Sequence, residues 1–143
     1  MKEIKITAQE LEEGKKLLLD FNKLSKAVAQ SAGIIPVAVQ NAKTKELILI
    51  AYTNKEAFDT SVKTGIATFW STSRNELWVK GATSGNTFEL NEIYVNCEQN
   101  SLLYLVTPKV DGICHTHNAK GAARNCYYRK LDLVSGSLTN TDP

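Results

Sequence analysis

Ile34-Ile35-Pro36-Val37-Ala38-Val39-Gln40 is followed by Asn41-Ala42-Lys43-Thr44-Lys45 and then by Glu46-Leu47-Ile48-Leu49-Ile50-Ala51-Tyr52. Both outer runs are dense in β-branched and large apolar side chains, and the five residues between them are polar turn formers. The pair reads as an antiparallel hairpin. Downstream, residues 54–64 read as a short helix, with Asn54 as its cap and Gly65 at its end. Residues 67–71 and 77–80 read as short strands, residues 87–97 and 101–108 as another antiparallel pair, and residues 126–131 as a last strand. Upstream, Leu11, Leu17, Leu18, Phe21, Leu24, Ala27 and Val28 recur at helical spacing, which predicts a helix over 8–30. Thr7 and Glu10 have capping-box spacing, Gly14 moves the start toward Lys15, and Gly33 ends the helix. The tail from Ser135 to Pro143 is polar and is expected to fray. The sum is a single α+β domain dominated by antiparallel sheet with an N-terminal helix.

Composition narrows the function. The chain has 143 residues, 43% hydrophobic and 22% charged, enough for one domain with its own core. With 17 basic against 15 acidic residues the net charge is +2, which argues against a dedicated nucleic-acid binder. No apolar run is long enough to span a bilayer, so no membrane partner is expected. The charged start, Met1-Lys2-Glu3-Ile4-Lys5, offers no signal-peptide core, and a cytoplasmic location is expected.

The scarce reactive residues are clustered. All three cysteines, Cys97, Cys114 and Cys126, and both histidines, His115 and His117, fall between positions 97 and 126. A lone cysteine is most often a small buried hydrophobe, but Cys and His together are the preferred ligands of zinc. No Cys-x-x-Cys is present, and the separations are not those of a zinc finger. Three thiolates leave a tetrahedral ion one open position, the mark of a catalytic rather than a structural site, unless His115 or His117 closes the shell.

The polar loops supply a second signal. Lys80-Gly81-Ala82-Thr83-Ser84-Gly85-Asn86 sets two glycines, two hydroxyls and an amide behind a lysine. Such a loop reads as a plain turn or as a phosphate cradle, and it is not a Walker A loop. Arg74 lies between Trp70 and Trp78; arginine pairs with phosphate in a bidentate manner and tryptophan stacks on a base. Together they point to a phosphorylated ligand.

The chain resembles the phosphoribosyl-AMP cyclohydrolase family of histidine biosynthesis. The likeness rests on Ile35-Pro36-Val37-Ala38-Val39-Gln40, Ala51-Tyr52-Thr53-Asn54-Lys55-Glu56-Ala57, Phe69-Trp70-Ser71-Thr72-Ser73-Arg74, Leu77-Trp78-Val79-Lys80-Gly81, Thr83-Ser84-Gly85-Asn86, Cys114-His115-Thr116 and Cys126-Tyr127-Tyr128-Arg129. It spans residues 33–131, with residues 1–32 a helical extension and 132–143 a polar tail. The resemblance implies an intertwined homodimer with a catalytic zinc held by Cys97, Cys114 and Cys126, contributed by both subunits. It implies a nucleotide site lined by Trp70, Ser71, Ser73, Arg74, Lys80, Thr83, Ser84 and Asn86. The implied reaction opens an adenine ring between N1 and C6, with His115 as proton shuttle or as a group that orients a zinc ligand.

This sequence departs from the family at polar positions. The family holds magnesium through Asp-Cys-Asp-x-Asp, whereas Asn96-Cys97-Glu98-Gln99-Asn100 stands here. On a strand, Asn96, Glu98 and Asn100 would share a face, but two of the three carboxylates are now amides. Magnesium binding is expected to be weaker, anchored on Glu98, or absent. Thr72 replaces a common Arg, Ala82 a common Glu and Asn41 a common Asp, and the stretch between Cys114 and Cys126 is longer than usual. Fewer charges would suit a less phosphorylated ligand. Two alternatives follow: a diverged paralogue acting on another purine-like or cyclic amidine substrate, and a non-catalytic dimer stapled by zinc.

Overall fold

The computed structural model describes residues 5–31, 33–82, 85–110 and 114–143. Strands β1 (Ile35–Asn41) and β2 (Leu47–Thr53) form the expected hairpin, with Val37 opposite Ala51 and a register shift between Val39 and Gln40. Val37 and Val39 are buried while Ala38 and Gln40 are only partly covered, so the period of two fixes which face meets the core. The chain then enters α3 (Lys55–Thr64). Asn54 Oδ1 accepts from the Ala57 N–H at 2.9 Å, and Gly65 closes the helix in the left-handed region at φ 71°. Ser61 ties this helix down: its Oγ accepts from the Thr68 N–H at 2.8 Å and its proton faces the carbonyls of Ala57 and Thr68.

Strands β3 (Thr68–Ser71) and β4 (Glu76–Val79) make a second hairpin. Strands β5 (Phe88–Val95) and β6 (Leu102–Pro108) pair antiparallel, as their sequence suggests. The central sheet has the order β2-β1-β6-β5, and β1 runs parallel to β6, from Val37 opposite Leu102 to Asn41 opposite Val106. The sheet is therefore mixed rather than purely antiparallel. A parallel neighbour needs a long crossover, and α3 with β3 and β4 supplies it. The core gathers on one face around Val37, Val39, Ile48, Phe69, Phe88, Tyr104 and Val106, with Phe69 stacked 6.0 Å from Tyr104.

The N-terminal segment is not the single helix predicted over 8–30. It forms α1 (Ala8–Glu13) and α2 (Lys23–Gln30). Thr7 Oγ1 does accept from the Glu10 N–H at 3.1 Å, but Gly14 stands at the far end of α1 instead of weakening its start. Asp20 then competes with helical bonding by accepting from the N–H groups of Asn22 and Lys23, both at 3.0 Å. The intervening chain is extended, and the Lys15 carbonyl accepts from the Leu138 N–H at 2.7 Å.

The last strand is shorter than expected, and the tail does not fray. β7 (Arg129–Leu131) pairs with β8 (Leu138–Asn140), and Asp132 Oδ1 caps their turn through the N–H groups of Val134 and Ser135. Arg124 fastens tail to arm: it is buried, donates to Glu13 Oε1 at 2.6 Å and to the Asp142 carbonyl at 2.8 Å, and lies 4.6 Å from the Tyr128 ring centre. Among the described residues no helix is long and apolar enough to cross a membrane.

Candidate active site

Two clefts adjoin where β2, β3 and β4 meet the loop carrying Cys114. The larger, about 460 Å³, is lined by Lys80, Gly81, Asn86, Cys114, His115 and His117, among others. The smaller, about 360 Å³, is lined by Trp70, Ser71, Ser73 and Arg74, together with Tyr52 and Trp78. Lys80 joins them, since its Nζ lies 5.4 Å from the Trp78 ring centre.

Backbone placement explains why these groups meet. The Cys114 N–H donates to the Arg124 carbonyl at 2.6 Å, and the Cys126 N–H donates to the Ile48 carbonyl of β2 at 3.0 Å. That docking folds the loop back on itself and brings the two thiols close enough to act on each other electrostatically. Cys126 is exposed as a residue, yet desolvation of its thiol, then the charge of Cys114, push its pKa up to about 11. The Lys80 ammonium pulls the other way. Thr116 Oγ1 donates to Cys114 Sγ at 3.1 Å. Two thiols so placed suit a soft cation, which displaces their protons on binding.

His115 is largely exposed, and its Nε2 lies 2.5 Å from Glu12 Oε1 of α1. The carboxylate accepts the Nε2 proton, which leaves Nδ1 as the basic nitrogen. The Tyr128 hydroxyl holds this part of α1 in place by donating to the Glu12 carbonyl at 2.7 Å. Gly81 has φ 81°, and a Cβ there would lie 1.9 Å from the Asn86 carbonyl oxygen, so no other residue fits this corner of the cleft. Asn86 Oδ1 accepts from the Val110 N–H at 2.8 Å and thereby shapes the rim.

In the smaller cleft, Ser71 Oγ accepts from the Arg74 N–H at 3.3 Å and lies 3.3 Å from Ser73 Oγ. The half-exposed Arg74 has its Nε 3.5 Å from Glu76 Oε1. Thr83 and Ser84 lie outside the described residues.

Cys97 does not join the other two thiols within one chain. Residues 96–100 form the turn between β5 and β6, not the strand face expected for Asn96, Glu98 and Asn100. Through the pairs Val95–Leu102, Val37–Leu102 and Val37–Ala51, that turn lies three strands away from β2. Strand spacing and residue rise put it on the order of 17 Å from the Ile48 carbonyl that anchors Cys126. Among the described residues no group of three His, Cys, Asp or Glu side chains comes close enough to hold a metal.

The sequence reading missed Glu12 and Tyr52 as site residues. Tyr52 stands beside Ala51 in a strand already read as such, so its place in the cleft could have been inferred from the neighbouring tryptophan loop. Glu12 carried no signal, because 103 positions separate it from His115.

Paired thiols, a cation and stacking rings around clefts of this size describe the site of an enzyme acting on a small polar molecule. A family model for phosphoribosyl-AMP cyclohydrolase matches residues 49–128. A protein of that name from Archaeoglobus fulgidus is 47% identical over 70% of this chain and 87% of its own. Others so named, from Cenarchaeum symbiosum and Erythrobacter litoralis, are 42% and 39% identical, over 79% and 89% of this chain and 93% and 90% of theirs. The chain belongs to the phosphoribosyl-AMP cyclohydrolase family.

Proposed function

We propose that this chain is a zinc-dependent phosphoribosyl-AMP cyclohydrolase of histidine biosynthesis, working as a homodimer. The observation that carries the reading is the placement of Cys114 and His115 in the cleft that Lys80 lines, with Cys126 docked on β2 and the stacking cleft alongside. Cys114 and Cys126 would hold the zinc with Cys97 of the partner subunit, since the chain's own Cys97 is too distant. Zinc, when bound, supplies the Lewis acidity that activates water at neutral pH.

The chain's own groups do the rest. Trp70 and Trp78 offer faces for the purine, and Arg74 and Lys80 offer cations for the phosphates. The water oxygen bonds to C6, and the N1–C6 bond breaks. C6 keeps its exocyclic nitrogen, which gains the second water proton, and becomes a carboxamide carbon, while N1 stays on C2 as an amidine nitrogen bearing the phosphoribosyl group. His115 Nδ1 takes the water proton and returns it to the departing nitrogen, with Nε2–H held on Glu12 throughout.

Zinc content and turnover test this assignment together. In Cys97→Ser, Cys114→Ser and Cys126→Ser, zinc affinity and turnover each fall by at least about 100-fold, since even partners behind a ligand cost 10–100-fold. Full zinc and full turnover in any one of the three would remove that cysteine from the set.

A further inference from the structure

The turn that bears Cys97 contains its own means of staying ordered. Asn96 Oδ1 accepts from the backbone N–H groups of Asn100 at 2.9 Å and Ser101 at 3.0 Å. Two converging N–H donors fix which end of this amide is oxygen. Its Nδ2 must then point the other way, and it donates to Asn100 Oδ1 at 2.6 Å. Asn100 Nδ2 reaches Glu98 Oε2 at 3.4 Å. Gln99 is held among these bonds at φ 55°, in the left-handed region.

Both amide oxygens are therefore committed to N–H donors, and Glu98 is the one carboxylate in the group. A magnesium ion prefers several anionic oxygens in octahedral array and sheds its water reluctantly. Here it would have to break the Asn96–Asn100 bond and meet an Nδ2 donor in exchange. The donor set does not fit the ion.

We infer that in this chain the reciprocally bonded Asn96–Asn100 ring, with Glu98 attached to it, replaces the family's magnesium site, so that the Cys97 turn is held in shape without a second metal. The inference rests on the proposed function only in taking Cys97 as a zinc ligand. Asn96 and Asn100 are then positioning residues, acting on the metal through the turn.

The test uses the full chain, zinc-loaded, in magnesium-free buffer and without substrate, so a failed turnover assay leaves it intact. The melting temperature of the unaltered chain stays constant on adding magnesium chloride, and manganese(II) used as a paramagnetic probe produces no saturable relaxation change. A bound ion at about ten times its dissociation constant would raise the melting temperature by roughly 4–6 °C, and such a rise would overturn the inference. Asn96→Asp with Asn100→Asp crowds carboxylates into the ring, so the double variant melts lower and regains stability with magnesium. Asn96→Ala keeps the charge and breaks the ring; its zinc affinity falls about 10-fold or more and magnesium does not restore it. Unchanged zinc affinity in Asn96→Ala would refute the positioning role.

Discussion

Cys126 carries a thiol whose pKa desolvation and Cys114 push up to about 11, so zinc binding as proposed would displace that proton and would strengthen as pH rises. The same proximity marks the residue as part of a pair, which its position in the sequence could only suggest. His115 is the proton carrier in the proposed reaction. His115→Ala lowers kcat by about 10²–10⁴-fold, the span of a lost general base. Glu12→Gln still reaches the ring but no longer presents a carboxylate; kcat falls about 10-fold while KM holds. Steady-state kinetics separate the two parameters, and an unchanged kcat would reduce the Glu12 contact to packing. At this scale the sequence was informative where residue types are scarce. Five Cys and His residues in one segment drew attention to the loop that lines the larger cleft with Lys80, and the tryptophans and Arg74 to the cleft beside it. Glu12 was invisible because one glutamate in a charged helix differs from the next only by what it touches.

Elements with signals at both ends were legible. The third helix has Asn54 and Gly65 at its boundaries, and both act as their residue types dictate. Asn54→Ala leaves the Ala57 N–H unpaired and costs about 1 kcal/mol, measurable by urea unfolding. The N-terminal segment lacked such agreement. Its apolar spacing favoured one helix, but Gly14 and the Asp20 side chain break it, and bonds to the distant tail hold the extended stretch. Parallel pairing of the first and sixth strands was hidden for a related reason, because period-two patterning names a face and not a neighbour. Tyr104 illustrates the cost of a buried central strand. Among the described residues its hydroxyl has no hydrogen-bond partner within bonding geometry, although Thr53 and Ser61 stand near it. Tyr104→Phe should therefore be neutral or stabilising by up to about 1 kcal/mol. A clear loss of stability would mean that the hydroxyl is satisfied after all.

On the scale of the molecule, arm and tail form a clasp around the loop that carries Cys114 and Cys126. Arg124 is central, bonded to Glu13 and to Asp142. Glu13→Ala leaves a buried guanidinium short of its carboxylate and lowers the melting temperature by several degrees. Lys substituted for Arg124 does not rescue, since it cannot serve both partners and the Tyr128 face. The expectation of a frayed tail failed because polar composition says nothing about a hairpin that another segment completes. The distance between Cys97 and the paired thiols also belongs to this scale. If the site is shared across a homodimer as proposed, Cys97→Ser and Cys114→Ser chains are each inactive alone, but equal mixing restores about a quarter of the unaltered turnover, because half the dimers carry one complete site.

The most direct measurement follows phosphoribosyl-AMP by ultraviolet absorbance as its ring opens, with zinc-loaded protein in magnesium-free buffer. Sustained turnover that is lost in Cys114→Ser and unaffected by added magnesium is the predicted result. No turnover from an intact, zinc-bound dimer would contradict the proposed activity and direct attention to other cyclic amidines.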